Sequence, residues 1–253
     1  MKNNDINKFC KTKENVIFIT LLALTLLGMY IDIHIIYIEF FIILNILIFL
    51  NIRRINAKKP NIIKFTIRRS LYVIPFTIPI ILGDSINIEE SPNTILYVIG
   101  MSVIVFIFMY SKKDVWNIMF DDEIISMSNK RTRYDYFTNC ILLISAPITE
   151  ELFFRNFIIT QVRESLGIFA IILGAYLFWF QHYQLSWSDS FSKNDFYIQF
   201  IFGLISGSIF YFTNNIIPSI VGHLLFNFIN VLLECKKYHF YYIKNGETHG
   251  RCN

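Results

Sequence analysis

Three short patterns in this chain place acid–base groups at helical spacing. The first runs from Glu150 and Glu151 to Arg155, the second from Phe178 to His182, and the third from His223 to Asn227. Positions i and i+4 share a helix face, so Glu151 and Arg155 can pair, with the acid on the favourable N-terminal side. Glu150 projects about 100° further round the helix and is left without that cation. A carboxylate so placed suits the work of a general base near neutral pH. With one histidine it could hold and activate a water. A second histidine and an asparagine amide could donate hydrogen bonds to a developing oxyanion. That would be peptide hydrolysis without a covalent nucleophile. Glu150, His182 and His223 also permit a different chemistry, a Glu/His/His zinc site with one open position. Spacing along the chain does not choose between the two. Taken singly, each pattern has a plain structural explanation, an interhelical polar clamp or a hydrogen-bonding histidine.

The elements that must position these groups follow from composition. Of 253 residues, 54% are hydrophobic and only 17% charged, with 23 Lys+Arg against 19 Asp+Glu. The apolar content excludes disorder, and an ordinary soluble domain carries about 25% charge, so the few charges here argue against one small soluble domain. An all-α, polytopic transmembrane bundle is expected, with about eight spans: Val16–Ile31, Ile35–Ile52, Ser70–Leu82, Thr94–Ser111, Phe137–Thr160, Ile168–Gln184, Phe196–Thr213 and Ile216–Glu234. The first follows a basic leader but has no small-residue cleavage site after it, so it reads as an uncleaved span. With both termini cytoplasmic, 21 of the 23 basic residues fall on inner segments, as the positive-inside rule requires. The basic loop Arg53–Arg69 reads as a determinant of that topology rather than a nucleic-acid site. Cys10, Cys140, Cys235 and Cys252 match neither a metal nor a disulfide spacing. No inverted repeat of broken spans points to a transporter. Charges within spans are costly, and Glu150, Glu151 and Arg155 share one span. Glu39 is expected near the outer end of the second, within reach of the interface.

Taken together and in order, the three patterns resemble EExxxR, FxxxH and HxxxN/D of the CPBP family of intramembrane proteases. That family includes type II CAAX prenyl endopeptidases and bacteriocin-processing and immunity-linked relatives. The similarity covers roughly Phe137–Glu234. It implies three regions: N-terminal helices and loops (1–136), a catalytic four-helix core (137–234) and a cytoplasmic tail (235–253). It further implies an endopeptidase in a bacterial plasma membrane, acting on a membrane-associated or lipidated protein or peptide. In that reading Glu150 and His182 activate the water, His223 and Asn227 stabilise the oxyanion, and Glu151, Arg155 and Phe178 support the site. No cofactor is required, although zinc on Glu150, His182 and His223 stays open. The alternative is a non-enzymatic immunity-type membrane binding protein. The chain lacks the HExxH, GxGD and GxSG patterns of other intramembrane proteases.

Overall fold

The computed structural model describes residues 3–52, 62–89, 91–185 and 193–244. Eleven α-helices follow one another: α1 (Asn3–Tyr30), α2 (His34–Ile52), α3 (Ile62–Ile81), α4 (Thr94–Tyr110), α5 (Lys113–Met119), α6 (Asp122–Ser126), α7 (Arg133–Glu151), α8 (Thr160–Leu166), α9 (Phe169–Leu185), α10 (Lys193–Thr213) and α11 (Ile217–His239). A π-helical stretch, Leu152–Ile159, joins α7 to α8, and a short one, Phe240–Lys244, ends the described chain. Each of the eight expected segments falls on a helix. Among the described residues five helices are long and apolar enough to cross a membrane unaided. They rise to six if α4 and α5, bent by 68° at Ser111 and Lys112, count as one span. Two segments miss that standard for visible reasons. Helix α3 carries Lys64, Arg68 and Arg69 in its first half, and α9 has 17 residues. Large side chains such as Ile95, Ile99, Phe106 and Ile107 face outward, as a lipid-facing belt must. The protein is therefore an integral, multi-pass membrane protein.

Residues 112–136, which fall between the fourth and fifth expected spans, carry two short helices and the start of a third. Asp121 caps α6 by accepting the Glu123 amide, and Thr132 caps α7 by accepting that of Asp135. These short polar caps satisfy first-turn amides that have no partner within their own helix. The segment packs on the end of α11. There the Tyr241 hydroxyl donates to the Ile125 carbonyl at 2.7 Å, the Tyr242 hydroxyl to that of Arg131 at 2.7 Å, and Arg131 pairs with Glu234. Most of the basic loop Arg53–Arg69 lies outside the described residues, as does the tail beyond Lys244. Cys140 and Cys235 are free thiols.

The rod formed by α7, the π stretch and α8 is the axis of the molecule. Seven consecutive residues, Phe153–Ile159, are buried, which a helix with one apolar stripe cannot achieve. It is surrounded instead, by α3, α9 and α10 among others. Phe76 and Phe178 meet the Phe154 ring from α3 and α9, and Phe41 meets Phe153 and Phe157 from α2. On the far side α9 and α10 approach closely because their contact is made of small residues. A Cβ added at Gly203 would lie 3.1 Å from the Ala175 Cα, the kind of contact on which membrane helices rely. Glu39 does not reach the interface as expected. It is 8% exposed and accepts a 2.8 Å hydrogen bond from Thr25 of α1, so a neighbouring helix, not headgroup water, satisfies it.

Candidate active site

The axial rod carries the first pattern. Glu150 and Glu151 end the regular α-helical part of α7, and Arg155 lies in the wider π turn that follows. π turns recur at functional sites because they redirect side chains without ending the helix. Here Glu150 and Glu151 are both buried, at 7% and 0% exposure.

Pro147 lies one turn earlier. Lacking an N–H, it cannot bond the carbonyl of Leu143, four residues back. The Asn227 amide of α11 donates to that carbonyl at 3.4 Å. A break in one helix thus becomes an anchor for a residue on another.

Glu151 bridges two partners. Its Oε2 lies 3.0 Å from Arg155 Nε, the i,i+4 pair expected, and its Oε1 accepts from His223 Nδ1 at 2.8 Å. The second contact spans 72 positions and has no signature in the chain's spacing. Arg155 Nε donates to Ser206 of α10 at 2.7 Å, and the guanidinium lies over the Phe178 ring, 4.2 Å from its centroid. Ser219 of α11 donates to the Ser206 carbonyl at 3.1 Å. The site's buried cation is thus held by an acid, a hydroxyl and an aromatic face. Phe178 also touches both histidine rings, at 4.4 Å from His182 and 5.6 Å from His223.

Glu150 stands at the convergence of the three patterns. Its Oε2 is 3.7 Å from His182 Nε2 and 3.8 Å from His223 Nε2, and no protein group donates a hydrogen bond to it. The tautomers follow from the other ring nitrogens. His182 Nδ1 lies 2.9 Å from the Phe178 carbonyl, an acceptor only, so that nitrogen carries the proton. His223 Nδ1 donates to the Glu151 carboxylate in the same way. Each ring therefore turns its Nε2 toward the Glu150 carboxylate. Separations of 3.7 and 3.8 Å exceed hydrogen-bond range.

The zinc alternative finds no support. Among the described residues no group of three or more His, Cys, Asp or Glu side chains is arranged to hold a metal ion. Tetrahedral donors about 2.0–2.1 Å from zinc lie about 3.3 Å apart, and those on Glu150 are wider.

All four residues expected to be catalytic, Glu150, His182, His223 and Asn227, line one cavity of about 390 Å³. Along α11 its lining runs from His223 through Asn227 to Asn230, toward the basic end of the bundle where Lys236 and Lys237 lie. Several of its other walls were not anticipated. Phe108 and Met109 come from α4, Lys112 and Trp116 from the bend and α5, and Gln199 from α10. Asn230 also lines it, seven residues after His223 and three after Asn227, and that helical stripe was available in the sequence.

Fold and site together define a helical membrane protein with a buried carboxylate–histidine cluster at the floor of a cavity. Residues 134–229 match the family model described as "Rce1-like: Type II CAAX prenyl endopeptidase Rce1-like". This stretch is similar to that family, in agreement with the resemblance drawn from the three patterns. No curated protein and no solved structure is significantly similar to the chain.

Proposed function

We propose that the protein is an intramembrane endopeptidase of the CAAX-processing type, hydrolysing a peptide bond in a membrane-associated or lipidated substrate. The observation that carries this reading is the approach of His182 and His223 to one Glu150 oxygen at the floor of a cavity, within an Rce1-like region. The charge bias of the loops supports a cavity that opens to the cytoplasm, with both termini on that side. In this reading residues 137–234 carry the chemistry and residues 1–136 form the supporting helices, with α4 and α5 lending walls to the cavity.

Charge accounting supports the assignment of roles. Glu150, Glu151 and Arg155 together carry one excess negative charge, and a net charge at membrane depth is costly. One further proton makes the cluster neutral. On His223 Nε2 that proton lies between Glu150 and Glu151, and Glu151 stabilises the resulting imidazolium. Water held by Glu150 and His182 attacks the scissile carbonyl and gives its proton to Glu150. The oxyanion accepts from His223 Nε2–H and from the Asn227 amide. Glu150 then returns the proton to the leaving nitrogen as the C–N bond breaks, so the enzyme ends as it began.

Purified protein in nanodiscs, given a farnesylated CAAX peptide and a proteome-derived peptide library, tests this reading. Glu150→Ala, His182→Ala and His223→Ala should each lose about 10²-fold or more in cleavage rate while remaining folded. Wild-type rates in all three variants would overturn the proposal. So would full biological activity of Glu150→Ala in cells, which would point to the binding-protein alternative.

A further inference from the structure

Resting on that reading, the cavity also carries features that the hydrolytic machinery does not use. Apart from Glu150, and the Asp195 carboxylate that pairs with Lys112, two buried polar atoms in its walls have no hydrogen-bond partner in the protein. One is a donor, Trp116 Nε1 on α5, and the other an acceptor, Gln199 Oε1 on α10. A buried polar group without a partner is uncommon and calls for an explanation. Asn230 adds an amide to the same walls, on the stripe of α11 that carries His223 and Asn227. The charged residues nearby, Lys112 and Asp195, are paired with each other.

Position along the helices places these groups between the mouth and the floor. Phe202 of α10 meets His223 of α11 with ring centroids 5.3 Å apart. Gln199 lies one turn from Phe202 toward the basic end, and Asn230 two turns from His223 in the same direction. Seven helical residues rise about 10 Å, and an extended chain covers that distance in about three residues. A peptide reaching Glu150 from the mouth must pass these groups. A peptide unit offers one carbonyl acceptor and one N–H donor, the complement of an indole N–H and an amide oxygen.

We propose that Trp116 Nε1, Gln199 Oε1 and the Asn230 amide form a subsite that hydrogen-bonds the substrate backbone within about three residues of the cleaved bond. The subsite sets binding and register rather than the chemical step. It recognises main chain, so it serves substrates that share no side chain at that position, provided the segment enters extended.

The test uses wild type and the variants Trp116→Phe, Gln199→Met and Asn230→Leu in nanodiscs. The probe is the best-cleaved member of a proteome-derived peptide library, resynthesised with single ester bonds in place of successive amides. Each variant should raise KM by about 3- to 10-fold, the worth of one hydrogen bond, with kcat within about twofold. One ester within about three residues of the cut should raise KM for wild type and add nothing in Gln199→Met. Thermal stability of Gln199→Met should equal or exceed wild type, because the variant removes a buried unpaired group. A purely structural role would instead lower stability and leave the ester scan additive. Unchanged KM in all three variants, or an ester penalty that persists in Gln199→Met, would overturn the subsite while leaving the peptidase reading intact. If wild type and Glu150→Ala release the same peptides, the peptidase reading fails, and the subsite with it.

Discussion

Substituting Glu151 by glutamine changes one atom at the most buried acid among the described residues. The carboxylate is 0% exposed, lies 3.0 Å from Arg155 Nε and accepts from His223 Nδ1 at 2.8 Å. Glutamine keeps the volume and can still accept from His223, but it removes the charge that balances a guanidinium of 1% exposure. Arg155 would retain Ser206 and the face of Phe178, neither of which carries a countercharge. Stranding one member of a buried pair costs about 3–5 kcal/mol. For a chain of this size each kcal/mol lowers Tm by about 2–4 °C, so a fall on the order of 10 °C is expected in a detergent melting assay. The double variant Glu151→Met, Arg155→Met removes both charges and should melt above either single variant, because replacing a whole buried pair is far less costly than halving it. A Glu151→Gln protein melting within about 2 °C of wild type would refute this account of the pair, allowing for the accuracy of that conversion. So would strictly additive effects in the double variant.

Phe178→Leu should lower both cleavage rate and Tm, since one ring contacts Arg155, His182 and His223; an unchanged rate in a peptide assay would show that the ring only fills space. Prolonged chelation should leave peptide cleavage intact, and elemental analysis should find no stoichiometric zinc, because the donors on Glu150 are too widely spaced; loss of activity restored by zinc would contradict this. At the basic end, hydrogen bonds from Lys244 and Lys236 hold the Asp122 carboxyl below its usual range. A depressed folded value means that this contribution is fully present above the unfolded pKa of about 3.9 and is lost as pH falls through the lower folded value. The Tm difference between wild type and Asp122→Asn should therefore be constant above about pH 4 and vanish in more acidic solution; a difference that grows on acidification would be inconsistent with it.

The helices were legible because apolar runs bounded by charge are a strong signal, and each of the eight segments lies on one. The exceptions are instructive. Residues 112–126 form two short helices whose caps, such as Asp121, are local and whose packing on α11 is not. The burial of the π stretch was not legible, because neighbours on every side enclose its polar Arg155 and Asn156 together with its apolar residues. Within the site, the pairs Glu151–Arg155, Phe178–His182 and His223–Asn227 were visible as i,i+4 spacings. The links between them were not. Glu151 to His223, Arg155 to Ser206 and Asn227 to the carbonyl left open by Pro147 all join residues distant in sequence. Trp116 and Gln199 carried no signal, since their interest lies in the absence of a protein partner, which only three-dimensional packing defines.

The central claim is that Glu150 accepts the proton of the attacking water. Its most direct test is cleavage-site profiling of a peptide library by wild type and Glu150→Gln in nanodiscs, with melting temperatures measured on the same samples. The account predicts that the glutamine variant melts like wild type and loses about 10²-fold or more in the rate of every cleavage. Equal cleavage by the two proteins, at equal stability, would contradict it.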